Sequence, residues 1–231
     1  MSLKVGIICA GDREVAPFLN HIQNVQTSEK AMLKIYEGSI NNVDIVTLYT
    51  GVCKVNAAIA TQILIDHYGV NAVINAGVAG GMDSKLGIFD TAISTEVAYH
   101  DVAEDILTDF HPWMETVYFK ADEQLLKASK RAVTKLDMEY KVYWGKMVTG
   151  EAFITDDGRD EINRDFAPLT VDMETASIAH VCYVNQIPFI AIRSVTDTAD
   201  HRGTGNFELN CVNASSIAKD ITLALLSELK Q

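Results

Sequence analysis

Apolar residues in this chain fall into short uninterrupted runs, separated by stretches where they recur at helical spacing. The first run, Val5-Gly6-Ile7-Ile8-Cys9-Ala10, stops at Gly11-Asp12. An unbroken run bounded by a turn reads as a strand buried on both faces, the habit of parallel sheets. Val15, Phe18, Leu19 and Ile22 follow at the spacing of one helix face. Leu33 to Ile40 and Val43 to Tyr49 flank Asn41-Asn42, a hairpin signal, so the sheet is expected to be mixed. Val55, Ala58, Ile59 and Ile63 mark a second helix. Ala72 to Asn75 is a further strand running into Gly77-Val78-Ala79-Gly80-Gly81, and strands are predicted at Thr91 to Ala98, Tyr140 to Val148, Leu169 to Asp172 and Pro188 to Thr196. Helices are predicted at Asp122 to Lys135, at Glu174 to Asn185, and at a long last segment whose Ile217, Ile221, Ala224 and Leu225 share a face. Strands alternating with helices, without internal repeats, give an α/β fold.

Composition narrows the function classes. With 231 residues, 48% of them hydrophobic, and no stretch rich in Ser, Gly or Pro, the chain is read as one domain over 1–231. A net charge of -12 without a basic stripe argues against nucleic acid as a partner. Met1 to Ala10 lacks the basic flank and long apolar core of a secretion signal and is too short to cross a bilayer, so a cytoplasmic protein without membrane association is expected. The cysteines, Cys9, Cys53, Cys182 and Cys211, are scattered and form no CxxC pair, which indicates neither a zinc site nor a disulfide framework.

In open α/β sheets ligands bind beyond the carboxyl ends of the strands. Here those ends carry Gly11 and Glu14, Thr50-Gly51, the glycine cluster, Tyr99-His100-Asp101, Thr149-Gly150-Glu151-Ala152-Phe153-Ile154, Asp172-Met173-Glu174, and Arg193 to Asp197. Arg193 lies within the apolar Phe189-Ile190-Ala191-Ile192-Arg193-Ser194-Val195, where an unpaired charge would be costly, so a carboxylate must meet it. By alternation Arg193, Val195 and Asp197 face one way. The plain alternative is an ion pair that only fastens the strand. Gly77-x-x-Gly80-Gly81 has neither dinucleotide-loop spacing nor a Walker lysine, leaving a tight turn and a ligand contact equally open. Tyr99-His100-Asp101 lacks a second metal-ligating partner and reads as structural or substrate-facing.

Taken in order, these stretches resemble the 5'-methylthioadenosine/S-adenosylhomocysteine nucleosidases of the nucleoside phosphorylase fold. The matching segments are Lys4 to Ile8 with Glu14-Val15, Thr50 to Val55, Ile74 to Gly77, Ala79 to Gly81, Tyr99 to Asp101, Gly150 to Ile154, Asp172 to Glu174, and Arg193 to Asp197. The resemblance implies a three-layer αβα fold around a central mixed sheet, no cofactor and no metal, a homodimer, and a small adenine nucleoside as substrate. It implies that Asp197 protonates adenine N7, that Ile154 and Phe153 hold the purine, and that Glu174 grips the ribose hydroxyls beside Met173. It implies too that Glu14, with Arg193, activates the attacking water and that Phe207 borders the 5' group. Val52, Val78, Gly80, Asp172 and Thr196 complete the expected contacts. The chemistry is consistent with those roles, since breaking a ribosyl C–N bond needs an acid at the base and carboxylates near the sugar.

Three positions depart from the family's habit: Gly11 stands where methionine is frequent, Asp172 where glutamate is, and Val78 where serine is usual. The valine removes a hydroxyl near the expected reaction centre, which implies a slower enzyme or one retuned to another 5' substituent. Two other readings remain open at this level: a nucleoside phosphorylase of the same fold, and a nucleoside-binding protein without catalysis.

Overall fold

The computed structural model describes residues 2–103, 105–155, 158–199 and 204–229. The first apolar run forms β1 (Lys4–Cys9), which lies between β4 (Val43–Tyr49) and β5 (Ala72–Gly81), parallel to both. β4 continues antiparallel to β3 (Leu33–Ile40) and β3 to β2 (Gln23–Lys30) at the edge. Asn41 and Asn42 make the β3–β4 hairpin with φ of 52° and 62°, the left-handed conformation that asparagine tolerates best after glycine. β2 gave no signal in the sequence because its side chains are polar and mostly exposed.

On the other side the sheet curls on itself. β5 pairs parallel with β10 (Phe189–Asp197), β10 antiparallel with β6 (Thr91–Tyr99), β6 parallel with β8 (Val142–Thr149), and β8 parallel with β9 (Thr170–Asp172). β9 then meets the far end of β5, Gly80 opposite Val171, and closes a five-strand ring. The short β7 (Phe119–Lys120) pairs with β6. Gly77 to Gly81 are therefore strand residues within β5, not the tight turn that the cluster also permitted.

Alternation along the central strands divides the core between two helical layers. Val5, Ile7, Ile74, Ile190 and Ile192 face α1 (Asp12–Leu19), α4 (Glu123–Val133) and α7 (Thr204–Glu228) through Phe18, Leu125, Ile221 and Leu225. Ile8, Val73 and Ala191 face the opposite way, toward α2 (Lys54–Tyr68) and α6 (Thr175–Asn185) through Leu64 and Ile178. Both faces of β1, β5 and β10 are covered, which is why these strands read as unbroken apolar runs. The architecture is a three-layer αβα fold around a mixed sheet. Two short helices, α3 (Ile106–Asp109) and α5 (Arg159–Phe166), lie in the connections. Among the described residues no helix is long and apolar enough to cross a membrane.

Candidate active site

A cavity of about 470 Å³ opens where β1, β5, β9 and β10 end and α1, α6 and α7 begin. All thirteen residues singled out from the sequence line it: Glu14, Val52, Val78, Gly80, Phe153, Ile154, Asp172, Met173, Glu174, Arg193, Thr196, Asp197 and Phe207.

Arg193 is buried at 1% exposure and is met by three carboxylates. Its Nε lies 3.2 Å from Asp172 Oδ2, its Nη2 3.5 Å from Glu174 Oε2, and its Nη1 3.9 Å from Glu14 Oε1. Each carboxylate is held in turn by the chain. Glu14 Oε2 accepts from the backbone N–H groups of Ala10 at 2.6 Å and Gly11 at 2.8 Å, and Oε1 from that of Val78 at 2.7 Å. An exposed charge at a helix N-terminus would not be tied in this way, so Glu14 is more than a partner for the α1 dipole. Asp172 accepts from the Thr149 hydroxyl at 2.6 Å, from the Thr175 hydroxyl, and from the N–H groups of Glu174 and Thr175. It thereby caps the start of α6 and braces Arg193.

Glu174 accepts from the Cys53 N–H at 2.9 Å. Burial, with the neighbouring Asp172 carboxylate, pushes its carboxyl up to about 7 against the opposing pull of Arg193. Three acids around one guanidinium also explain Gly77: a methyl there would sit 2.2 Å from Glu14 Oε1 and 2.8 Å from Arg193 Nη1.

Asp197 stands apart. Its Oδ1 accepts from the Thr196 hydroxyl at 2.9 Å, and burial raises its carboxyl above the ordinary range, opposed by that hydroxyl and by the charge of Arg159. Strict alternation does not reach it, because the pairing of β10 with β5 shifts between Val195 and Asp197. The irregularity sets Asp197 opposite Gly80, while Arg193 lies opposite Gly77. Such a bulge re-aims a side chain without moving the strand. Three residues of β5 separate the two places, a distance of about 10 Å at strand rise.

Phe153 and Phe207 meet edge to face across the cavity, their ring centroids 6.1 Å apart. The 150–154 segment is tied to the start of α2, since Glu151 N–H donates to Asp101 Oδ2 at 2.9 Å and Lys54 Nζ reaches the same carboxylate at 2.9 Å. Of the two readings of Tyr99-His100-Asp101, the structural one fits. Val78 points its side chain into an apolar cluster with Cys211, Ala214, Phe89 and Phe207, while its N–H holds Glu14.

The model of the phosphorylase superfamily matches residues 4–227. The structure of a 5'-methylthioadenosine/S-adenosylhomocysteine nucleosidase from Colwellia psychrerythraea 34H, in complex with adenine, is similar with a TM-score of 0.91 and 32% identity, covering 100% of this chain and 97% of that one. The corresponding enzyme from Neisseria meningitidis, in complex with methylthio-immucillin-A, matches with a TM-score of 0.90 and 30% identity over 98% of this chain and 99% of that one. The S-adenosylhomocysteine nucleosidase of Streptococcus pyogenes matches with a TM-score of 0.90 and 28% identity over 100% and 98%.

This chain belongs to the 5'-methylthioadenosine/S-adenosylhomocysteine nucleosidases, within the phosphorylase superfamily.

Against that family the cavity also has walls that sequence reasoning missed. Asp12, Arg13, Thr204, Glu208 and Cys211 line it as well. Arg13 and Asp12 flank Glu14 in the chain, and Glu208 adjoins Phe207, but no periodicity marks them. They gain their place only because α1 and α7 converge there.

Proposed function

We propose that the protein hydrolyses the N-glycosidic bond of adenine nucleosides with a 5'-thio substituent, releasing adenine and the substituted ribose. The observation that carries this reading is the separation of charge within one cavity: an arginine shared by three carboxylates at the Gly77 side, and a buried acid set off from them at the Gly80 side. The relatives with bound adenine and methylthio-immucillin-A support the substrate class.

Cleavage of the bond leaves positive charge on the ribose and negative charge on the base. Asp197, whose burial favours the protonated form, gives its proton to N7 of adenine and makes it a neutral leaving group. The purine lies between Phe153 and the backbone of Ile154, with Gly80 leaving room beside Asp197. Glu174 and Met173 hold the ribose hydroxyls. Glu14 Oε1 and Arg193 Nη1, 3.9 Å apart, are spaced for one water that donates to the carboxylate and accepts from the guanidinium. Excess negative charge around Arg193 stabilises the cationic sugar. Water adds at the ribose carbon as the C–N bond breaks, and Glu14 takes its proton.

Hydrolysis is preferred to phosphorolysis because phosphate needs free cationic donors. Among the described residues the cations lining the cavity are Arg13 and Arg193; the first is paired with Glu208 and the second with three acids. Release of free adenine from 5'-methylthioadenosine at equal rate with and without phosphate is the expected result. Formation of a ribose 1-phosphate would replace this reading by the phosphorylase one, and binding without product would favour the non-catalytic one.

The enzyme acts as a homodimer in this reading. Exposed apolar side chains on neighbouring helices support it: Val55 and Ile59 on α2, and Tyr183 and Val184 on α6. Sedimentation at micromolar concentration checks it, with a mass twice that of the chain expected.

A further inference from the structure

Two guanidinium groups lie buried among the described residues, Arg193 and Arg159. The proposed reaction uses the first and leaves the second without a task. Arg159, the first residue of α5, is 7% exposed and donates from Nη1 to the Gly81 carbonyl at 2.6 Å and from Nε to the Thr155 carbonyl at 3.1 Å. Both ends of that bridge adjoin the reaction. Thr155 directly follows Ile154, whose side chain packs against the apolar cluster of Met82, Ile162 and Val171. Gly81 directly follows Gly80, where a methyl would come within 3.2 Å of Asp197 Oδ2.

We infer that Arg159 is a positioning residue for the departing base: it locks the purine-holding segment to the end of β5 and sets a fixed positive charge near Asp197. The inference rests on the nucleosidase reading and deepens it. Around Asp197, β5 brings Gly80, flanked by Val171 of β9, and β10 brings the Thr196 hydroxyl, none of them charged. Glu14, Asp172, Glu174 and Arg193 gather at the Gly77 side, while Arg13, Glu208 and Cys211 line the cavity from α1 and α7. Among the described residues, Arg159 is the charge that acts on Asp197. Burial raises the Asp197 carboxyl and keeps its proton in place, whereas the Thr196 hydroxyl and the Arg159 guanidinium lower it. That opposing pull stabilises the carboxylate left behind once N7 has taken the proton. One side chain thereby couples the grip on the purine to the acid that protonates it.

The test follows adenine release from 5'-methylthioadenosine across pH in the parent, Arg159→Gln and Arg159→Lys, with the melting temperature of each. An acid that must carry a proton gives kcat/KM an alkaline limb where that proton is lost. Arg159→Gln removes the charge and is expected to move this limb to higher pH and to lower kcat about 10-fold, part of the roughly 10²-fold or more that the acid supplies. Arg159→Lys keeps the charge but not the two-point bridge. It is expected to leave the limb in place and to weaken inhibition by free adenine about 3- to 10-fold, the worth of one hydrogen bond. An arginine that only fastens α5 would change the melting temperature alone. An unmoved limb in Arg159→Gln, an equal shift in both variants, or unchanged adenine inhibition in Arg159→Lys overturns the inference. Where Arg159→Gln does not fold, the adenine measurement on Arg159→Lys decides by itself. Failure of the unaltered protein to release adenine would instead overturn the nucleosidase reading, and this inference with it.

Discussion

At the Gly77 side of the cavity, Glu14, Asp172 and Glu174 crowd around Arg193 and are fastened by backbone N–H groups and threonine hydroxyls. At the Gly80 side, Asp197 is just as buried, and among the described residues it meets the Thr196 hydroxyl and the opposing charge of Arg159. The first arrangement compensates its charges and concentrates negative potential where a cationic sugar would form. In the second, burial raises the carboxyl, which inclines it to keep a proton that the proposed reaction would use. In the proposed reaction, two groups of the same chemical type thus acquire opposite duties from their surroundings.

The largest effect expected from breaking this contrast is on stability. Arg193→Leu removes the shared cation and leaves three acids facing one another in the interior, a loss of about 3 to 5 kcal/mol. At this chain length that corresponds to a fall of roughly 6 to 20 °C in melting temperature, read by calorimetry at neutral pH. A variant melting within a degree or two of the parent would show that the acids do not depend on the arginine.

Asp197→Asn tests the other side. It preserves shape, removes the proton, and is expected to reduce adenine release about 10²-fold or more while nucleoside binding is largely retained. Loss of binding with turnover intact would assign Asp197 to recognition instead.

Both sides answer pH in the same direction, since burial raises Glu174 as it raises Asp197, and Glu174 gives the sharper signal. Its carboxyl is raised from 4.5 to about 7, so the folded protein holds a proton that the unfolded chain has already released. The stability this contributes is complete below about pH 4.5 and is lost as pH rises through about 7. Glu174→Gln should therefore lose less stability across that window than the parent, as seen in melting temperatures taken at intervals of pH. Parallel curves would mean that Arg193 holds Glu174 ionised throughout.

The smallest effect concerns Val78, whose N–H serves Glu14 while its side chain joins Cys211 and Ala214. Val78→Thr keeps one methyl for that cluster and adds a hydroxyl beside the reacting groups. Adenine release from methylthioadenosine should rise about 5-fold, the worth of one hydrogen bond of about 1 kcal/mol. Unchanged turnover at unchanged stability would mark the position as packing.

The sequence by itself determined the strands whose two faces are both buried, because β1, β5 and β10 each carry an apolar run and so stood out. It also determined that Arg193 would be met by acids, since a buried guanidinium cannot stand without them and the acids lay at neighbouring strand ends. β2 escaped because an exposed edge strand places no apolar demand on its residues. Only the tertiary structure decided that the glycine cluster is a strand, because Gly77 answers to Glu14 and Arg193, which come from elements far away in the chain. It alone decided that the shift before Asp197 carries that acid to Gly80, and that Arg13 and Glu208 meet at the mouth. Burial leaves its mark on composition residue by residue, whereas close approach and charge pairing depend on distances between segments that no local pattern records.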